Sequence, residues 1–166
     1  TGGACVVFGF GSVFWGASVG NLRVQVERVE LPARAFSPSH RELRIAHITD
    51  LHIGPLLGPE RLRDFVERVN RLEPDLIAIT GDIFDFDPAY VEAGCAELGR
   101  LVARKRIYAV LGNHDVYTGA DTVADGIARH SDIRLLRDEW DTLDVDGEPL
   151  AVAGLEDPAV DLRTEN

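Results

Sequence analysis

Positive charge is scarce in this sequence. Its 166 residues carry 17 Lys and Arg against 28 Asp and Glu, a formal net charge of −11. A nucleic-acid-binding surface needs a basic stripe that displaces counterions from phosphate, so that class of partner is not expected. An anionic substrate must instead be drawn by something local and positive, and a bound metal would serve. Cysteine is almost as scarce. Cys5 and Cys95 offer neither metal-ligand spacing nor a disulfide framework. Cys5 lies in an apolar tract and Cys95 in a predicted helix, and both read as small apolar residues. Internal repeats and low-complexity segments are absent. The first residue is Thr rather than Met, which reads as an excised or incomplete piece.

Charge is missing altogether from Gly2 to Gly20, and the first charged residue is Arg23. About 18 or more uncharged, mainly apolar residues is the length signal for a membrane span. Phe14 and Trp15 lie near its polar end, where an interfacial aromatic belt would put them. Two other readings stay open. A signal peptide fits the length, although no basic stretch precedes the run. A buried core segment fits the six glycines at 2, 3, 9, 11, 16 and 20. The expected division is an apolar leader over residues 1–21, a membrane-span remnant, followed by a soluble part over residues 22–166.

What is present is an ordinary globular composition, 45% hydrophobic and 27% charged, in a chain long enough for one domain. Leu22 to Leu31 alternates as a strand, with a phase shift that suggests a bulge. Pro32 to Arg41 reads as a loop. Leu43 to Ile48 is an apolar strand. Gly58-Pro59 starts a helix whose apolar face holds Leu62, Phe65, Val66, Val69 and Leu72, and Pro74 ends it. Asp75 to Thr80 is a second buried strand. Asp87 caps a helix with Pro88 at its first position and an apolar stripe of Val91, Cys95, Leu98 and Val102. Arg104-Lys105-Arg106 closes it where positive charge suits a helix C-terminus.

Ile107 to Leu111 is a third strand. Ala120 to Arg129 is a weaker helix, and Ile133 to Leu136 a short fourth strand. Trp140 to Val145 and Pro149 to Leu155 flank Asp146-Gly147, a strong hairpin signal. The order predicts an α/β layered fold with a largely parallel core and antiparallel additions.

The first three of the parallel strands end alike. The first runs into Asp50-x-His52, the second into Gly81-Asp82-x-x-Asp85, the third into Gly112-Asn113-His114-Asp115. In open α/β sheets ligands bind beyond the carboxyl ends of the strands, so these side chains can converge. Carboxylate, amide and imidazole donors together suit manganese, iron or zinc. One Asp can bridge two metals, and paired metals about 3.5–4 Å apart generate hydroxide and clamp the oxygens of a displacement at phosphorus. Each element alone also reads as an ordinary turn or cap. Their repetition at successive strand ends favours the metal reading. His47, inside the strand, reads as a core histidine, and His40 and His130 as loop or surface residues.

These three blocks resemble the first signature blocks of the calcineurin-like metallophosphoesterases. His47-Ile-Thr-Asp-Leu-His52-Ile-Gly54 behind an apolar leader, with Gly154-Leu-Glu-Asp-Pro158, is similar to the membrane-associated bacterial subgroup of YaeI- and YkuE-type phosphodiesterases. The resemblance implies an incomplete four-layer α/β/β/α sandwich, its first βαβ half plus a hairpin. It implies a metal-dependent hydrolase of phosphodiester or pyrophosphate bonds, with two divalent ions (manganese, iron or zinc). Asp50 and His52 would hold the first metal, Asp82 would bridge both, and Asn113 would hold the second. His114 would protonate the leaving oxygen or stabilise charge at phosphorus, oriented by Asp115, and Asp85 would support the ligands. The implied substrate is a phosphorylated small molecule or lipid, and the location an inner or cytoplasmic membrane, side unspecified.

One departure accompanies the match. The family completes its site with later histidines, and here the last histidine is His130. The chain is therefore expected to be the N-terminal part of a longer enzyme, lacking nitrogen ligands to both metals, with one sheet face uncovered. The alternative is a non-catalytic ligand-binding or regulatory module derived from this fold.

Overall fold

The computed structural model describes residues 26–30 and 43–157. The chain separates into two units, Thr1–Ala35 and Phe36–Asn166. In the first, residues 26–30 are exposed and carry no regular structure. The strand expected over Leu22 to Leu31 is thus not seen there. Alternation makes a strand only where a second strand supplies hydrogen bonds, and among the described residues none pairs with it. The apolar leader, the loop with His40 and the rest of that strand lie outside the described residues.

In the second unit, strands β1 (Ile45–Ile48), β2 (Leu76–Thr80), β3 (Arg106–Val110) and β4 (Arg134–Leu135) form one parallel sheet in the order β1-β2-β3-β4. The crossovers carry α1 (Pro59–Asn70), α2 (Val91–Leu98) and α3 (Asn113–His130). Sequential order with crossovers of one hand puts all three helices on one face. The core agrees. Ile48, Ile77, Ile79 and Ala109 of the sheet are buried in one cluster with Leu62 and Val66 of α1, Cys95 and Leu98 of α2, and Val123 and Ile127 of α3. Each Val, Leu or Ile among them contributes about 1.5–3 kcal/mol by leaving water.

Alternation sends Leu76, Tyr108 and Leu136 to the other face. There Leu143 and Val152 pack on them, from a hairpin of β5 (Glu139–Val145) and β6 (Glu148–Gly154). Its turn residues, Asp146 and Gly147, have φ of 53° and 92°, the two-residue turn that suits strand twist. Tyr108 ties this layer down by donating to Asp141 at 3.0 Å. The result is an α/β fold with a parallel core and an antiparallel hairpin, the partial sandwich that the sequence led us to expect.

Four expectations need correction. His47 is hydrogen-bonded, 2.7 Å from Thr80 Oγ1, but exposed. It sits on the sheet face opposite the helices, beyond the reach of the hairpin. Val102 is 63% exposed, because α2 stops at Leu98 where Gly99 passes against the His130 carbonyl, too close for a Cβ. Arg104 and Lys105 therefore do not cap a helix. Arg104 pairs with Glu73 and Asp75, and Lys105 donates to the Asp144 carbonyl. Finally, α3 begins seven residues earlier than expected, at Asn113, and kinks at Gly119, whose φ is 116°.

Two predictions concern this scaffold. Burial pushes the Cys95 thiol up to about 12, so at pH 8 almost none is thiolate. Iodoacetamide labelling followed by peptide mass spectrometry should leave Cys95 unmodified in the folded chain and modify it in denaturant. Labelling of the native protein at equal rate would contradict the packing. Glu97, largely buried, accepts from Arg63 at 2.6 Å and pairs with Arg100 at 3.3 Å. The Arg63 contact holds its carboxyl below the usual range, against the opposing effect of burial. A depressed carboxylate stabilises the fold above its unfolded pKa of about 4.3, and the contribution is lost as pH falls through the folded value. Glu97→Gln should lower Tm at pH 7, and the gap from wild type should close below about pH 4. A gap independent of pH would exclude this origin.

Candidate metal centre

The parallel sheet brings the ends of β1, β2 and β3 to one rim. Past that rim the first two connections continue side by side. Asp50 N–H donates to the Gly81 carbonyl (3.3 Å), His52 N–H to that of Asp82 (2.9 Å) and Ile53 N–H to that of Ile83 (2.8 Å), while Asp85 N–H returns to Ile53 (3.1 Å). Ile53 and Phe84, both fully buried, anchor this ribbon. Within it Asp50, His52 and Asp82 take left-handed backbone conformations, with φ of 54°, 46° and 50°. Each costs of order 1–3 kcal/mol and persists only where the surroundings over-determine it. The cross-connections above provide that, and they aim three candidate ligands outward from one rim.

The third connection is locked to the second by Asp115. Its carboxylate, fully buried, accepts from the backbone N–H of Ile83 (3.1 Å), Phe84 (2.8 Å) and Gly112 (2.9 Å). The Gly112 bond caps the start of α3. Burial lifts the Asp115 carboxyl above its usual range. Its three N–H partners pull the other way, and the nearby Asp82 charge adds to the rise. Asp82 completes the junction by accepting from His114 N–H at 3.0 Å.

The side chains then meet. Ligand atoms of His52, Asp82 and His114 all lie within 4.8 Å of one another. His52 Nε2 is 3.9 Å from both Asp50 Oδ1 and Asp82 Oδ2. The two imidazole rings stand edge to face with centroids 4.5 Å apart. Nδ1 of His52 and Nδ1 of His114 are buried without a hydrogen-bond partner. Two imidazoles and a carboxylate at this spacing form a donor set that fits a divalent ion of the manganese, iron or zinc kind.

Of the other residues singled out in the sequence, Asp50 lies at the edge. Its side chain is 62% exposed against 18% for Asp82, and it accepts from the Thr49 hydroxyl at 2.6 Å. Asn113 is half-buried at the first position of α3. Asp115 occupies a place other than the one expected. The contacts of the Asp115 carboxylate are the backbone N–H groups above, not the His114 ring. Asp85 Oδ1 stands 3.4 Å from His114 Nδ1.

Three neighbours of the site were not anticipated. Phe86 and Tyr117 flank His114, with ring centroids 4.7 and 5.9 Å from its own. The Thr118 hydroxyl lies within hydrogen-bonding distance of the carbonyls of Asp85 (3.1 Å) and His114 (3.0 Å), bridging the second and third connections. Tyr117 stands three places after His114, the spacing of neighbours on one helix face.

Comparison with known proteins gives a consistent result. Residues 43–161 match the family of calcineurin-like phosphoesterases. A transmembrane protein with metallophosphoesterase domain from Bos taurus is 40% identical over 93 residues, 56% of this chain and 21% of its own length. A Caenorhabditis elegans protein that carries the name metallophosphoesterase is 30% identical over 92% of this chain and 32% of its own. An uncharacterized metallophosphoesterase of Bacillus subtilis, YkuE, is 28% identical over 69% of this chain and 41% of its own. The chain thus spans about a fifth to two fifths of the length of these relatives.

Proposed function

We propose that this chain, which belongs to the calcineurin-like phosphoesterase family, carries the metal-binding half of a site that hydrolyses phosphoester bonds. The observation that carries the reading is the convergence of His52 and Asp82, as candidate ligands, with His114 beside them at the rim of the sheet. Metal bound there supplies Lewis-acid charge at phosphorus and lowers the pKa of water. In this reading two divalent ions bind. Asp50 and His52 would hold one, Asn113 would hold the other, and Asp82 would be shared between them. His114 gives its proton to the leaving oxygen. Asp85 Oδ1 is 3.4 Å from His114 Nδ1, where a small turn of the ring would complete the hydrogen bond that Nδ1 lacks and leave Nε2 for the substrate. Asp115 holds the second and third connections together, so that Asp82 and His114 keep their spacing.

Phosphodiesters or pyrophosphates of a small molecule or lipid are the proposed substrates. Association with an inner or cytoplasmic membrane is part of the same proposal. It is supported by the apolar residues 1–21 and by relatives from Bos taurus and Danio rerio that are named transmembrane proteins. No helix among the described residues is long and apolar enough to cross a membrane.

The test is turnover of bis-p-nitrophenyl phosphate by the full-length protein with manganese, with and without chelator. Chelator-sensitive hydrolysis is expected, as is recovery of the protein in the membrane fraction. Metal binding without turnover would replace this reading with that of a non-catalytic binding module, which has some support in a cluster of only three ligating groups among the described residues.

A further inference from the structure

Phe86 and Tyr117 stand out beside the site. Around them the groups are acidic or imidazole, yet these two rings are 58% and 44% exposed. Their planes are 22° apart with centroids at 5.9 Å, too close to admit a third ring between them. They therefore form one stacked, partly exposed aromatic cluster rather than a slot. That cluster begins at His114, which the Phe86 ring meets at 4.7 Å. Both residues are held in place by backbone. Phe86 follows Asp85, whose carbonyl Thr118 contacts, and Tyr117 sits one turn into α3.

We propose that Phe86 and Tyr117 are specificity-determining residues that stack against a planar aromatic leaving group, an aryl or nucleobase-bearing moiety, of the phosphoester substrate. The inference rests on the metal-site reading above and deepens it. If His114 protonates the leaving oxygen, whatever that oxygen carries must lie beyond His114 and away from the metal. The two rings stand beside His114, with centroids 4.7 and 5.9 Å from its own. Their exposed aromatic surface favours a planar partner, because offset or edge-to-face contact of aromatic rings adds to simple area burial, and an alkyl chain gains only the burial.

Three phosphonates of equal head group separate the possibilities: methyl-, hexyl- and phenylphosphonate. Their binding to the manganese-loaded protein is measured by calorimetry, without turnover. We expect phenylphosphonate to bind about tenfold more tightly than methylphosphonate and several-fold more tightly than hexylphosphonate, which has as many side-group carbons. The ratio of phenyl to methyl affinity should collapse toward one in Phe86→Ala and Tyr117→Ala and survive in Tyr117→Phe. A purely structural role for the rings would shift all three affinities together and leave the ratio intact, which would overturn the proposal. Equal phenyl and hexyl affinities would overturn the aromatic assignment. Methylphosphonate binding with no phenyl preference would overturn the platform alone, and no binding of any phosphonate would overturn the metal-site reading with it.

Discussion

Replacing Asp82 with asparagine should reduce manganese affinity by more than about 100-fold while leaving the metal-free fold intact. Asp82 is the only carboxylate in the gathered cluster of His52, Asp82 and His114. One of its oxygens faces His52 at 3.9 Å and the other accepts from His114 N–H at 3.0 Å. Asparagine can still accept that N–H, and it tolerates the left-handed backbone at φ 50° better than most residues. The substitution therefore isolates the charge. Losing an outer-shell partner of a metal ligand typically costs 10–100-fold, so a direct ligand should exceed that. Titration calorimetry with manganese gives the affinity. Thermal unfolding in chelator gives the control, in which Tm should hold or rise, since Asp82 is a charged neighbour of the buried Asp115 carboxylate. Wild-type affinity in Asp82→Asn would remove Asp82 from the site.

Much of this arrangement was legible in the sequence, for a physical reason. A buried parallel strand reads as a short apolar run, and Leu76 to Thr80 and Ile107 to Val110 could hardly be anything else. The residues after such strands must lie at one rim, so Asp50, His52, Asp82, Asn113 and His114 could be grouped without coordinates. The failures have reasons too. Asn113 to Thr118 has no apolar periodicity, because its first turn is held by the Gly112–Asp115 cap and by contacts from Thr118. The helix was therefore placed only where Val123 and Ile127 repeat. That error hid the relation between His114 and Tyr117, which become neighbours only when both lie on one helical turn. The expectation for Asp115 rests on the family resemblance, and the helix explains where its carboxylate goes instead. In a loop, a carboxylate beside His114 would face the ring. On a helix, adjacent side chains diverge by about 100°, which turns Asp115 inward to the N–H groups of Ile83 and Phe84. Backbone strain is announced by no motif, although Asp50, His52 and Asp82 at the three left-handed positions of the site are all residue types enriched in that conformation.

Gly112→Ala should disrupt the site more than its modest size suggests. At Gly112 φ is −104° and ψ is −177°, which any residue adopts, so backbone preference would predict a neutral change. Space decides otherwise. A Cβ here would lie 2.3 Å from Asp82 Oδ1 and 2.6 Å from Asp82 N. The side-chain collision can be relieved by turning Asp82 away from His114 N–H, which breaks the junction. The backbone collision can be relieved only by parting the second and third connections, which the Asp115 clamp opposes. Overpacking of this kind costs about 1–3 kcal/mol, a loss of several degrees in Tm, and it should be accompanied by loss of manganese binding because the carboxylate is the part displaced. The two collisions can be separated. In an Asp82→Ala background the carboxylate is gone and the backbone contact remains, so Gly112→Ala should then cost less but still cost something, a non-additivity that a double-mutant cycle reads directly. Full additivity, or a Gly112→Ala protein with wild-type Tm and manganese affinity, would mean that the two connections are not packed as closely as they are here.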